Sequence, residues 1–515
     1  MASLPQTEAR RRKRQIFKPH FVRAMLAGHS ALGLAFAWLI YVVCLTGTLS
    51  VFLFDLQRWE QPHAPIVDRA PSPELIDRVV RTAYAKALAE DAVDDISIRG
   101  PDAVSPRLLV SFDDHEKGTG GNWLADREGN LVVRLDAPWT AFLAKLHINL
   151  HLPRTWGMFL VGLTGVALLS SLVSGLLSHP RIFKDAFALR WGGAKRLEQA
   201  DLHNRLGVWG LPFHIAVSLT GALLGLATLI VGVLALAAYD GDSGKAFALL
   251  LGPRAGADAA PAPLPDVAAM IRRVQAQHPE ARFARLRMEH AATAGQIVHL
   301  EMRRPGHLAL GNAYYFDGQG RLLGDGGYET GSIGRQILAA LAPLHFGWFG
   351  GSPVKIVYGL LGLALTVITH SGVVIWLARR RDAGRPAPLW ESLWAAGAWS
   401  QPLALILSAA VSLAGYPAAI LPAYAATLLV SLILATAVRS GPATTRALCA
   451  PAALAALGLV AAHVGQWRAH AFDASALAIN AALLACAAAL LLRAGSRRPR
   501  PAAQAGFLPQ AQAGD

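Results

Sequence analysis

Between Ala24 and Leu492 the chain repeatedly enters and leaves apolar runs, several of which reach about twenty residues. A run of that length is what an α-helix needs to cross a hydrocarbon core about 30 Å thick. In lipid a backbone has to satisfy its own hydrogen bonds, so such runs have to be helical. The composition agrees, with 53% hydrophobic and 16% charged residues over 515 positions. The predicted fold class is a mainly α, polytopic membrane protein. The formal charge of +14 falls in short segments beside the runs, which is the positive-inside pattern. That distribution points to membrane lipid as the partner and against nucleic acid.

Part of the pattern occurs twice. His29 opens His-Ser-Ala-Leu-Gly-Leu, and Thr46-Gly47 follows 17 residues later; His203 opens His-Asn-Arg-Leu-Gly-Val, and Thr220-Gly221 follows, again 17 residues later. The polar stretches behind them repeat as well. A helical run over Pro73 to Glu90 and strands near Asp94 to Arg99 and Pro106 to Phe112 are matched by a helix over Pro265 to Gln277 and strands near Arg282 to Glu289 and Gln296 to Arg303. Turns at Ala125 to Leu131 and Phe316 to Leu322 share Asp-x-x-Gly-x-Leu or a close variant. A period of this kind marks a duplicated unit, here a helix, an outer domain and a helix.

The predicted organisation follows from these runs. Residues 1–23 are a basic cytoplasmic N-terminus, 24–54 the first span, 55–139 a small outer domain and 140–178 the second span. Residues 179–206 form a cytoplasmic loop, 207–238 the third span, 239–341 a second outer domain and 342–378 the fourth span. A cytoplasmic linker, 379–393, leads to four additional spans within 394–492, at about 394–415, 418–438, 447–466 and 474–492. Residues 493–515 are expected to be a disordered cytoplasmic tail. Eight spans put both termini on the cytoplasmic side, as the arginines at 439, 446, 493, 497 and 498 require.

The histidines carry the chemistry. His29 and His203 fall near the cytoplasmic ends of spans one and three, and His147 and His345 near the outer ends of spans two and four. In an up-down bundle this makes two layers, on the order of 20 Å apart at a rise of about 1.5 Å per residue. Burying an unpartnered polar group costs roughly 2–7 kcal/mol, which four idle imidazoles would multiply. Neutral imidazole is a good iron ligand, and helix bundles hold such cofactors between facing helices. The pairs His29 with His203 and His147 with His345 are therefore the expected ligands of two haems, each bis-histidine. The competing reading is four helix-end histidines at the lipid boundary. His370 and His214 are rivals on the cytoplasmic side, and His151 is the rival outside. Gly33 and Gly207, four residues after His29 and His203, would let a flat macrocycle approach the backbone.

Several chemistries are absent from the sequence. The cysteines Cys44, Cys449 and Cys486 form no C-x-x-C or C-x-x-C-H, which excludes a zinc ribbon and a covalently attached c-type haem. No Walker loop, nucleophile elbow, zincin motif or Rossmann fingerprint occurs. Any electrons would have to come from a membrane quinol or a cytoplasmic reductase. The first four spans hold no mid-membrane carboxylate, which weighs against a pump. In the outer domains Asp113, Asp114, Trp123, Tyr314 and Tyr315 are candidates for ligand contact, or else structural.

The motif set resembles the PepSY-associated transmembrane family. The residues that carry the likeness are His29 to Gly33 with Leu45-Thr46-Gly47, Leu146-His147 with Trp156-Gly157, His203 to Trp209, Pro343-Leu344-His345-Phe346-Gly347 with Gly350-Gly351, and Ser371-Gly372 to Trp376 before a basic triplet. The likeness covers about Arg14 to Arg381 and leaves out the last four spans. It implies that the outer segments are PepSY-like α+β modules in the periplasm and that the protein sits in a bacterial inner membrane. It further implies a reductase of ferric siderophores or other ferric chelates, carrying electrons through two b-type haems to iron outside. The alternatives are a PepSY membrane protein that binds or regulates a periplasmic partner without catalysis, and a siderophore or iron permease.

Overall fold

The computed structural model describes residues 18–179, 187 and 195–495. The basic run at 10–14, most of the loop at 180–194 and the tail beyond 495 lie outside the described residues, so the expectations for them stand as sequence readings. Among the described residues six helices are long and apolar enough to cross a membrane, and there are eight spans if each of two bent helix pairs counts as one.

The first and third spans, expected as continuous helices over 24–54 and 207–238, are broken. Helix α1 (Pro19–Ala35) meets α2 (Ala37–Ser50) at Phe36 with a bend of 69°. Helix α7 (Lys195–Trp209) meets α8 (Leu211–Gly225) at Gly210 with a bend of 71°. The two breaks are equivalent, each seven residues after the duplicated histidine. Phe36 (φ −103°, ψ 3°) and Gly210 (φ −90°, ψ 4°) both leave helical geometry for the bridge region. Pro212, which has no N–H to donate, reinforces the second bend. Short third pieces follow as α3 (Leu53–Glu60) and α9 (Ala227–Ala238).

The second and fourth spans differ from expectation in the same paired way. The segments 140–178 and 342–378 each hold two helices. In the first, α5 (Pro138–Asn149) is cut off from α6 (Arg154–Ser178) by Leu150 and His151 at φ 54° and 56°. In the second, α12 (Ile333–Phe346) is cut off from α13 (Gly351–Asp382) by Gly347 at φ 71°. Left-handed residues end a helix because the next N–H turns away from the helical ladder. His147 and His345 thus sit on separate short helices instead of on the long spans.

The last four spans appear as α14 (Pro388–Leu413), α15 (Ile420–Val438), α16 (Gly441–Trp467) and α17 (Ala474–Gly495), close to their expected limits. Their contacts are lined by Ala396, Ala404, Ala452, Ala453 and Ala456, none exposed. Small side chains let helices approach closely where lipid provides no hydrophobic drive.

The two outer segments do not form separate domains. The first contributes α4 (Pro73–Ala89) and strands β1 (Asp95–Arg99), β2 (Leu108–Asp114), β3 (Thr119–Ala125) and β4 (Leu131–Arg134). The second contributes α10 (Ser243–Leu251), α11 (Val267–Gln277), β5 (Arg282–Glu289), β6 (Ile297–Arg303), β7 (Asn312–Asp317) and β8 (Leu322–Asp325). Antiparallel pairing of β1 with β5 joins them into one eight-stranded sheet, ordered β4-β3-β2-β1-β5-β6-β7-β8. Along the seam Ile96 faces Met288 and Ile98 faces Leu286, all four fully buried under α4 and α11. Each such side chain contributes about 1.5–3 kcal/mol on burial, so opening the seam would expose part of the core of both modules. The repeated turns share one device. Asp126 accepts the N–H groups of Glu128 and Asn130, and Asp317 those of Gln319 and Arg321, at 2.8–3.0 Å.

The polar face of the sheet meets the bundle. Arg99 and Arg285 lie opposite each other across the seam, a like-charge pair that is unfavourable by itself. Asp102 compensates, accepting from Arg99 at 3.0 Å and from Arg303 at 3.4 Å. The Arg99 guanidinium lies 3.9 Å from the Phe54 ring centre and 5.6 Å from that of Trp348, a cation–π contact with the end of the bundle. Beside it the buried Lys355 of α13 is paired with Asp55 of α3 at 2.6 Å.

Candidate cofactor-binding site

His147 and His345 lie in the last turns of α5 and α12, while His29 and His203 lie inside α1 and α7, so the four rings could in principle aim anywhere. The structure brings them together in the two expected pairs. The ring centres of His29 and His203 are 6.2 Å apart with planes at 79°, and those of His147 and His345 are also 6.2 Å apart, with planes at 18°.

Each ring is fixed through Nδ1. His29 Nδ1 lies 2.8 Å from the Ser171 carbonyl, His203 Nδ1 3.0 Å from the Ile368 carbonyl and His147 Nδ1 3.0 Å from the Val43 carbonyl. A carbonyl only accepts, so Nδ1 carries the hydrogen and Nε2 keeps its lone pair. His345 Nδ1 lies 3.0 Å from Thr220 Oγ1. That hydroxyl already donates to the Ala216 carbonyl at 2.7 Å, so it accepts from the ring. All four imidazoles are therefore set in the tautomer that leaves Nε2 free to bind a metal.

The duplicated glycines explain how the rings fit. A Cβ on Gly47 would come within 2.7 Å of His147 Cε1, and one on Gly221 within 2.9 Å of His345 Cε1. On Gly175 it would lie 3.1 Å from His29, and on Gly372 3.3 Å from His203. The Thr-Gly and Ser-Gly pairs seen in the sequence are thus seats for the histidines of the neighbouring helix. Their spacing was visible in the sequence; their role was not, because the ring each one seats comes from a different helix. Gly33 and Gly207 behave differently. A Cβ there would meet open space, and both line a cavity.

Each histidine pair borders a cavity. The one farther from the sheet, about 330 Å3, is lined by His29, His203, Gly33, Gly207, Trp376 and Arg379. The one nearer the sheet, about 310 Å3, is lined by His147, His345, Gly47, Gly221, Phe346 and Tyr358. Both volumes lie in the range of about 300–1,000 Å3 usual for cofactor pockets. Ile40, Leu168 and Leu365 line both cavities and form an apolar wall between them. The far cavity has a polar rim of Arg379, Asn204 and His179, while the near one has hydroxyls from Thr48, Ser50 and Thr164.

The rival histidines lie elsewhere. His370 stacks on Trp394 with ring centres 6.0 Å apart, facing α14 and away from both cavities. His214 is fully buried against its own turn at Gly210. His151 donates Nε2–H to the Phe142 carbonyl at 2.9 Å and stacks on that ring. None of the three lines either cavity. Most of the outer-domain candidates are tied into the fold. Tyr314 and Tyr315 are buried, Trp123 packs under Lys86 on the helix-covered face, and Asp114 closes a turn by accepting the N–H groups of Glu116 and Lys117. Asp113 faces His115 at 3.1 Å.

The joined outer segments, the paired histidines and nearly all of the duplicated spans fall within residues 26–379, the stretch that matches the PepSY-associated TM region family. The chain belongs to that family. PepSY-associated membership accounts for the bundle and the sheet but leaves α14 to α17 beyond its limit. A relative in Pseudomonas aeruginosa, an uncharacterised protein, is 32% identical over 239 residues. The match covers 44% of this PepSY-associated chain and 60% of the relative.

Proposed function

We propose that this protein is a di-haem reductase of a bacterial inner membrane, passing electrons across the bilayer to ferric iron, most simply a ferric siderophore, in the periplasm. The observation that carries the reading is the equal 6.2 Å separation of the two imidazole pairs. A metal–imidazole bond of about 2.0–2.1 Å on each side, plus about 1.1 Å from each Nε2 to its ring centre, gives about 6.2–6.4 Å for two rings sharing one metal. That spacing, the Nε2 lone pairs left open by the Nδ1 hydrogen bonds and the cavity beside each pair support a bis-histidine haem at each site.

Bound there, haem b supplies a one-electron carrier at two depths of the membrane. The chain's own residues hold and insulate it. Nδ1 hydrogen bonds to backbone carbonyls orient His29, His203 and His147, and Thr220 does so for His345. Arg379 offers the far cavity a cation for an anionic edge of the cofactor. Ile40, Leu168 and Leu365 keep water out of the short gap between the sites. Arg285, exposed on the sheet's polar face, and the partly exposed Arg303 give an anionic ferric chelate a cationic surface. A quinol releasing two electrons and two protons, or a cytoplasmic reductase, would supply two ferric ions with one electron each. Ferrous iron is bound less tightly by the hard oxygen donors of siderophores and is released.

Purified protein should show a reducible Soret band and a b-type pyridine haemochrome at two haems per chain. His203→Ala and His345→Ala should each remove one haem and largely spare the other. Equal, full haem content in both variants would overturn the ligand assignment. Vesicles loaded with reductant that fail to reduce an external ferric chelate would overturn the reductase reading.

A further inference from the structure

The helix that carries His147 starts without a cap of its own. Ala137 precedes Pro138 and has no side chain able to accept the first-turn N–H groups of α5. A carboxylate from another helix does this instead. Glu60, the last residue of α3, accepts the Trp139 N–H at 2.9 Å on one oxygen, and the Thr140 N–H at 2.7 Å and Thr140 hydroxyl at 2.5 Å on the other. A negative charge at a helix N-terminus is favoured by the helix dipole as well as by the hydrogen bonds.

The same carboxylate is tied to the C-terminal helices. Ser412 of α14 donates to Glu60 at 3.0 Å, and the Trp139 indole donates to Ser408 of α14 at 3.0 Å. Next to Glu60, the Trp59 carbonyl lies 2.8 Å from His463 Nε2 of α16, and the Trp59 indole donates to Asn480 of α17 at 2.9 Å. Among the described residues the other half has no counterpart. The residue 31 positions after His29 is Glu60, and the residue 31 positions after His203 is Leu234. Ser332 precedes α12 without making a capping bond, and Ile333 and Ile337 of its first turns are 77% and 58% exposed.

We propose that the four C-terminal helices are a brace for the His147 helix, with Glu60 as the positioning residue that transmits their hold to the near cavity. Trp139 and His147 are eight residues apart on one rigid helix, about 12 Å along its axis, so a loosened first turn tilts the imidazole at the other end. The inference rests on His147 and His345 being an iron-ligand pair, and it gives the block outside the family's limits a role in the site.

The test uses the full haem-loaded chain and its Glu60→Ala, Glu60→Gln and Ser412→Ala variants, read by electron paramagnetic resonance of the oxidised haems and by hydrogen exchange of residues 138–149. Glu60→Ala should speed exchange in α5 roughly fivefold or more and broaden or abolish the low-spin signal of the near haem, leaving the far haem unchanged. Glu60→Gln, which still accepts on one oxygen, should show a smaller form of both effects, and Ser412→Ala the smallest. Faster exchange with an unaltered near-haem signal, or equal loss of both haem signals, would overturn the proposal. If Glu60→Ala does not fold, Trp139→Phe removes the Ser408 bond without unpairing a charge and has to give the same selective effect. Wild-type protein lacking any bis-imidazole signal would dispose of the ligand-pair reading, whereas intact wild-type signals with indifferent variants would dispose of the brace alone.

Discussion

The rings of His29 and His203 stand nearly perpendicular at 79°, while those of His147 and His345, at the same 6.2 Å, are within 18° of parallel. The two histidine pairs share one spacing but differ in the angle between their rings. The carbonyls and hydroxyl that hold each Nδ1 impose that difference.

Ligand-plane angle controls the splitting of the iron d orbitals in a low-spin ferric haem. The oxidised protein should therefore give two separable paramagnetic resonance signals, a strongly axial one from the perpendicular pair and a rhombic one from the near-parallel pair. His203→Ala should remove the axial signal and His345→Ala the rhombic one. A single signal type for both haems would show that the bound rings do not keep these angles.

Replacing the seating glycines should empty the sites selectively. Alanine inside a helix is favoured over glycine by about 1 kcal/mol, but overpacking a close contact costs about 1–3 kcal/mol. At Gly47 and Gly221 the added carbon would stand 2.7 and 2.9 Å from a histidine ring, so the clash wins. At Gly175 and Gly372 it would stand 3.1 and 3.3 Å away, and the two effects nearly balance. Haem content per chain should fall in Gly47→Ala and Gly221→Ala, with the near haem lost, and change little in Gly372→Ala.

The junction between sheet and bundle should be acid-sensitive. Burial alone would raise the Asp102 carboxyl, but Arg99, the Ser105 and Val104 N–H groups and Arg303 outweigh it and hold the group below the ordinary range. Its stabilising effect is thus complete above the unfolded value of about 3.9 and is lost as pH falls through the lower folded value. Asp102→Asn should lower stability at neutral pH by about 1.5–3 kcal/mol, the worth of hydrogen bonds to a charged group. It should also flatten the further loss of stability seen below about pH 4. Thermal unfolding in detergent between neutral and acid pH measures both.

Much of the site was legible in the chain before any fold was known. The apolar runs required helices, because lipid offers a backbone no other partner. The duplication of His29 with Thr46-Gly47 as His203 with Thr220-Gly221 required that whatever one half does, the other does at an equivalent place. Those two facts set the number of spans and the His29–His203 pair, and the spacing of Cys44, Cys449 and Cys486 excluded covalent haem attachment. The tertiary structure decided what depends on contacts between distant segments. It put His147 and His345 on short helices of their own, cut from the spans by left-handed residues. It joined two modules into one sheet through β1 and β5, a pairing that a local pattern of alternation cannot announce. It placed His370, His214 and His151 outside the linings of both cavities. A sequence period fixes which residues share a face, but the direction a ring points, and the carbonyl that receives its hydrogen, depend on the helix packed against it.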